Sequence, residues 1–207
     1  FDDEACCEAS KQEIIRRYYK SLCEKRRKGT TKDDIYKLEL LMKQAEITVE
    51  DRKVTIAALE KEKATDEKPA VAIELPDGRI ITGGTSELLG AASSALLNAL
   101  KVLGDIEDDI KLIDPKAIEP IQALKINYLG SRNPRLHTDE VLTALSSTAS
   151  YSEVAALAMR QLPLLKGCDA HSTVLLSSVD EQILKKLGIQ LTCEPRYEED
   201  ERMYHKH

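Results

Sequence analysis

The chain has 207 residues, 42% of them hydrophobic and 32% charged, and a net charge of −6. Those proportions exclude a disordered or fibrous protein, and the length predicts a single core with an appendage, or two small domains. An acidic chain with no tryptophan and one phenylalanine lacks the cationic field and stacking rings of a nucleic-acid binder, and no apolar run reaches the roughly 18 residues of a membrane span.

Neither nucleic acid nor membrane is therefore expected as a partner. No signal-peptide pattern opens the chain, and Cys6, Cys7, Cys23, Cys168 and Cys193 form no CxxC pair, which predicts free thiols and a cytoplasmic location. The first residue is Phe1 rather than methionine, so the chain reads as a piece of something longer.

Residues 4–28 place Ile14, Ile15, Tyr18 and Leu22 at helical spacing, and Gly29 ends the run. Thr30 or Thr31 caps a second helix, with Asp33 and Asp34 in its first turn and Ile35, Leu38, Met42 and Ala45 on one face. Together they predict a helical hairpin. After Thr48 the period is ambiguous, because Val54, Ile56 and Ala58 alternate as in a strand while AALEKEKA holds strong helix formers. That segment reads as a linker, and its charge-dense end at Pro69 as a domain boundary.

Two strands, AVAIEL and RIITG, flank PDG, whose proline presets φ and whose glycine tolerates positive φ. A buried helix is expected from Thr85 to Leu103, on the wide apolar face of Leu88, Leu89, Ala92, Leu96, Ala99, Leu100 and Leu103. Residues 105–167 read as a helical insertion: Asp114 caps ahead of Pro115, Pro120 kinks or restarts the helix, and Thr138 caps a turn carrying Asp139 and Glu140. The chain then gives the strand HSTVLLSS, a helix opened by Ser178 with Glu181 and closed at Gly188, and the strand IQLTCEP. A crossover helix favours a parallel final pair.

The fold class predicted is α/β, an N-terminal helical hairpin followed by a three-layer-type sandwich with a mixed sheet and a helical insertion. Its parts are residues 1–68, hairpin and linker; 69–197, sandwich with the insertion at about 105–167; and 198–207, a charged tail.

The hairpin, buried helix, strand, helix and strand resemble the cytidine-deaminase topology, in which zinc sits where two helices begin. Zinc there needs a His or Cys two residues before a glutamate, and a Pro-Cys-x-x-Cys. Here the helices open with Ala91 to Ala95 and with Ser178 to Glu181, so no metal is predicted. QEIIRRYYK, PAVAIELPDGRIITG, TSELLGA, IEPIQALK, NPRLHTDEVL, GCDAHSTV and LTCEP resemble the C-terminal portion of a bacterial family, domain of unknown function eighteen forty-six (DUF1846). Some of its members are labelled ATP-dependent peptidases. The resemblance implies a longer protein with a nucleotide-binding-like N-terminal part, so a nucleotide belongs there and no cofactor is predicted in this fragment. Gly84 departs from the lysine that follows the first glycine of GGTS in that family. His137, His171, His205 and His207 offer no HExxH pair, so nothing in these residues carries the peptidase label.

Several groups are candidates for chemistry. Thr85 and Ser86, after the glycine pair, either cradle an anion at a helix opening or form a strand-exit turn with Thr85 as cap. Ser93 and Ser94, among alanines, suit close packing more than nucleophilic attack. Asn133, Arg135 and His137 concentrate donors in one loop, and the planar fork of Arg135 fits a carboxylate or phosphate. Cys168 and His171 could form a dyad, or with Cys193 a metal site, although cysteines are commonly core residues. RRYYK and EKRRKG form a solvated face or a contact with the N-terminal part. The expected function is binding of a small anionic ligand near residues 85–94 by Thr85, Ser86, Arg135, His137, Cys168 and His171, with no reaction specified. The rival is an assembly domain that builds a homo-oligomer for the N-terminal part.

Overall fold

The computed structural model describes residues 3–29 and 32–198. Thr30, Thr31 and the tail from residue 199, where a cap and a charged tail were expected, lie outside the described residues. Two helices, α1 (Asp3–Lys28) and α2 (Lys32–Gln44), pack together through Ile15, Tyr19, Met42 and Ile47. A 3₁₀ turn at Val49–Asp51 leads into α3 (Lys53–Ala64). The segment read as a linker is therefore largely helix. Val54 and Ala58, one turn apart, are fully buried against Ala72 of the sheet, so tertiary burial decides the ambiguous period in favour of the helix.

Strands β1 (Ala70–Glu74) and β2 (Ile80–Gly84) form the expected antiparallel hairpin. Its turn closes through Gly78 N to Leu75 O at 2.9 Å, with Gly78 at φ +84°. Helix α4 (Ala91–Leu103) starts six residues later than predicted, with Gly90 rather than Thr85 at its cap. The delay has a tertiary cause. Ser86 N bonds Leu89 O, Leu136 N takes Leu88 O and Gly90 N takes Leu136 O, so the 133–137 loop claims the backbone that would have begun the helix.

The insertion comprises α5 (Pro115–Ala123), a single π turn at Leu124–Tyr128, α6 (Thr138–Ala149) and α7 (Glu153–Arg160). Asp114 caps α5 as expected, accepting Lys116 N at 2.8 Å. Pro120 lies inside α5 without ending it. Strand β3 (Asp169–Ser172), helix α8 (Ser178–Lys186) and strand β4 (Gln190–Cys193) complete the chain, with β3 and β4 parallel. The sheet is mixed, in the order β2-β1-β3-β4.

Alternation along the strands separates two faces. Val71, Ile73 and Ala170 point into the main core with Leu96 and Leu100 of α4, Leu145 of α6 and Leu184 of α8. Ala72, His171 and Thr192 occupy the opposite face, where α3 and α1 lie. No helix among the described residues is long and apolar enough to cross a membrane.

Candidate functional site

The starts of α4 and α8 come together with the 133–137 loop at a cleft of about 40 Å³. Thr85, Ala91, Ala92, Arg135, His137 and Ser177 line it, together with Asp180 and Glu198. Of Thr85, Ser86, Arg135, His137, Cys168 and His171, the residues expected to gather around a ligand, Thr85, Arg135 and His137 line this cleft. Ser86 is spent on its own turn, where its hydroxyl accepts Leu89 N at 3.0 Å. Ser93, expected to serve packing, donates to Leu136 O at 2.9 Å and so ties α4 to the loop.

Arg135 is held from three sides. Its N–H donates to Asn133 Oδ1 at 3.1 Å, its carbonyl accepts Lys125 Nζ at 2.6 Å, and its Nη1 lies 2.8 Å from Glu198 Oε1. Lys125, on the π turn, is almost fully buried and also pairs with Glu140 Oε2 at 2.8 Å. Sequence reasoning missed it because a lysine on a helix is ordinarily solvated.

His137 caps α6, one residue ahead of the predicted Thr138, and Glu140 Oε2 accepts its N–H at 2.8 Å. The displacement has a distant cause: Asp180 Oδ1 takes both Thr138 N and Thr138 Oγ1, at 2.8 and 2.9 Å. Asp180 Oδ2 lies 2.9 Å from His137 Nδ1 and accepts Ser177 Oγ at 2.8 Å. Ser177, not Ser178, is the cap of α8, accepting Asp180 N at 3.1 Å. Asp180 thus joins the amino ends of α6 and α8 and fixes the imidazole. Burial alone would raise the Asp180 pKa, but the imidazole, the Thr138 amide and the Ser177 hydroxyl hold it below the ordinary carboxylate range. The hydrogen bond to Asp180 raises the His137 pKa above its ordinary value, against the opposing effect of burial.

Cys168 and His171 do not join this cleft, nor each other. Cys168 stands immediately before β3 and belongs to the main core, whereas His171, within β3, faces the other side of the sheet and contacts Tyr19 of α1 at 4.9 Å between ring centres. Burial raises the Cys168 thiol pKa, the reverse of what a nucleophile requires. The Cys/His dyad weighed against a core role is not formed, and Cys168 takes the core role. Among the described residues, no group of three or more His, Cys, Asp or Glu side chains is arranged to hold a metal ion, and all five cysteines are free.

His171 is fully buried, with Nδ1 2.8 Å from Thr192 Oγ1. Nε2 stands 3.2 Å from Glu194 Oε1, within ion-pair distance but without the direction of a hydrogen bond. Burial lowers its pKa, and the Glu194 carboxylate only partly offsets this. The unfolded chain therefore takes up this proton first as pH falls below about 6.5. His171 favours the fold above that pH and disfavours it below. His137, with a raised pKa, has the opposite sign, and its contribution is lost as pH rises through its folded value. Denaturant unfolding of His137→Gln at pH 7.5 and 5.5 isolates the first effect. The expected result is lower stability at pH 5.5, with the difference reduced when His171→Gln is added; an unchanged difference would show that His171 titrates alike in both states.

The family model described as domain of unknown function DUF1846, C-terminal, matches residues 50–204, and the corresponding N-terminal model matches residues 1–46. A UPF0371 protein of Corynebacterium urealyticum is 54% identical over 196 residues, 95% of this chain and 39% of the relative. A UPF0371 protein of Streptococcus sanguinis is 51% identical over 205 residues, 99% of this chain and 41% of its own length. The chain spans about two fifths of the length of these curated relatives.

Proposed function

Starting from the fact that this chain belongs to the DUF1846 family, we propose that the cleft between α4 and α8 binds the anionic end, phosphate or carboxylate, of a small ligand. One observation carries the reading: Arg135 already holds a carboxylate in the cleft, that of Glu198, at 2.8 Å. With Glu198 in place, about 40 Å³ remains, room for little more than a water or two. A ligand therefore takes the Glu198 position rather than adding to it. Ala91 and Ala92, the first residues of α4, line the cleft; the amides of a first turn are not used by the helix itself, so they and the helix dipole favour negative charge there.

The site would occupy the place where deaminase-like domains hold zinc, but a guanidinium, an imidazole and helix amides suit an anion better than a cation. This module would form the C-terminal portion of a cytoplasmic protein whose N-terminal part carries any nucleotide.

Thermal-shift and calorimetric titrations with inorganic phosphate, sulfate and citrate test the reading. At least one should stabilise the chain. Arg135→Ala should weaken binding by at least about tenfold, the value of a lost charge-assisted hydrogen bond. Glu198→Gln should tighten it by up to about fivefold, because a partly exposed ion pair contributes at most about 1 kcal/mol. No stabilisation by any of the three anions would refute the proposal.

A second reading, an assembly domain forming a homo-oligomer, draws on the exposed apolar side chains Leu124, Ile126, Tyr128 and Leu129 at the π turn. Such a patch marks an interaction surface more often than a free one. Sedimentation of the chain beside Tyr128→Ser tests it, a monomer in both counting against it.

A further inference from the structure

We infer that His137 is the proton-transfer residue of this cleft, exchanging a proton through Nε2 with a phosphate monoester seated at Arg135, and that Asp180 is its positioning residue. The inference rests on the anion-binding reading above and narrows its ligand class.

The tautomer follows from the geometry. Asp180 is buried, accepts from Thr138 N, Thr138 Oγ1 and Ser177 Oγ, and lies 2.9 Å from Nδ1. A carboxylate so supplied stays ionised and can only accept, so the ring proton sits on Nδ1. Nε2 is left with its lone pair on the far side of the ring. No hydrogen-bond partner for Nε2 is present among the described residues, and His137 lines the cleft beside Arg135. The side chain is 29% exposed, enough for a ligand to reach it.

The surrounding charges leave that proton exchangeable. From α8, Asp180 stabilises the imidazolium. From α6, Glu140 does so weakly, its carboxylate being shared with Lys125 of the π turn, which acts in the opposite sense. On the same loop, Arg135 is neutralised by Glu198 in the free chain, and by the anion once it takes that place. The wall formed by α4, at Gly90, Ala91 and Ala92, carries amides and no ionisable side chain.

Proton exchange is most effective between groups of similar pKa. The second ionisation of a phosphate monoester lies at about 6, beside that of an imidazole, whereas a carboxylate near 4 has already lost its proton. The step is the transfer of one proton: the monoanion's O–H breaks, an Nε2–H bond forms, and the dianion remains against imidazolium and guanidinium. No other bond changes.

The test is a ¹⁵N NMR titration of the histidines of the chain, with His137 assigned by its loss in His137→Gln, in the presence and absence of saturating sulfate. Sulfate does not titrate in this range and so isolates the imidazole. The expected results are an Nδ1–H neutral tautomer, and a His137 pKa raised by about one unit in the bound state. Linkage then makes sulfate bind about tenfold tighter at pH 5.5 than at pH 8. In His137→Gln, sulfate should still bind, through Arg135, but with that pH dependence lost. Asp180→Asn should lower the His137 pKa and move the neutral proton; if that variant unfolds, the His137→Gln comparison decides alone. Sulfate bound with the His137 pKa and tautomer unmoved would overturn this inference while leaving the anion site standing. Failure of sulfate to bind at all would remove both.

Discussion

Replacing Arg52 by methionine lowers the unfolding free energy by about 3 kcal/mol, the cost of taking a buried guanidinium away from two carbonyls, a hydroxyl and the half-buried Asp169. For a chain of this size that is about 10 °C in Tm. Arg52 is 1% exposed, the largest fully buried side chain described. It stands immediately before α3 and reaches under it to β3 and β4. Nη1 meets Asp169 Oδ1 at 2.8 Å and Gln12 Oε1 at 3.2 Å; Nη2 meets the carbonyls of Ala170 and Gln190 at 3.1 and 2.6 Å; Nε meets Thr192 Oγ1 at 3.0 Å. Methionine fills much of the volume, but it abandons Asp169 and two carbonyls and takes with it the contact that joins α1, α3 and the parallel strand pair. Lysine restores a point charge and not the fork, so Arg52→Lys recovers only part of the loss. Adding Asp169→Asn to Arg52→Met should recover little, because Asp169 is partly exposed and still faces Arg16 Nη1 at 3.6 Å. Urea unfolding of the four chains measures this, and a loss below 1 kcal/mol for Arg52→Met would show the pair to be dispensable.

Arg52 also shows where sequence reading ends. The PDG hairpin, the Asp114 cap and the strand-helix-strand order of the parallel β3-α8-β4 unit were legible because residues within a few positions of each other dictate them, although β3 runs from Asp169 to Ser172 rather than along HSTVLLSS. The start of α4 and the cap of α6 were not legible, because Leu136 and Asp180 supply partners across 40 or more residues; the cap of α8 is local, and was missed by one position because two serines stand side by side. Nothing local in DRKVTIAALE announces that its arginine is buried.

The same division runs through the site. Arg135 and His137 were legible as donors crowded into one loop; Thr85 lines the cleft with them, although the helix it was read to cap begins six residues later. Asp180 looked like an ordinary first-turn acid, Ser177 lay one position before the assigned cap, and Glu198 fell in a charged tail. Cys168 was read either as a dyad partner of His171 or as a core cysteine, and the core reading is the one its burial bears out; with the strand read as starting at His171, nothing local showed that the two side chains part to opposite faces.

The glycine pair was read either as an anion turn or as a strand-exit turn, and its first member serves a close approach as well. A Cβ at Gly83 would fall 2.1 Å from Ala95 N and 2.5 Å from Ala95 Cα, where unstrained carbon contacts lie at about 3.5–4.0 Å. The obstacle is helix backbone, which no rotamer change can relieve. Gly83→Ala must therefore push α4 off β2 by about 1 Å or more, disturbing the buried Leu96 and Leu100 and breaking the Asn98 bond to Thr82 O. The expected loss is about 3 kcal/mol, at the upper end for overpacking. Because the amino end of α4 is a wall of the cleft, phosphate and sulfate binding should weaken in the same variant. Gly84 faces the other way, with Lys61 Cε and Thr65 Oγ1 both 3.9 Å from the added carbon. Gly84→Ala should then change stability by no more than about 0.5 kcal/mol and leave anion binding intact. Thermal unfolding and sulfate titration of the two variants separate the positions: α4 held against β2 by the absence of one side chain requires that only the first be damaged, and equal behaviour would mean that the helix can shift without disturbing either core or cleft.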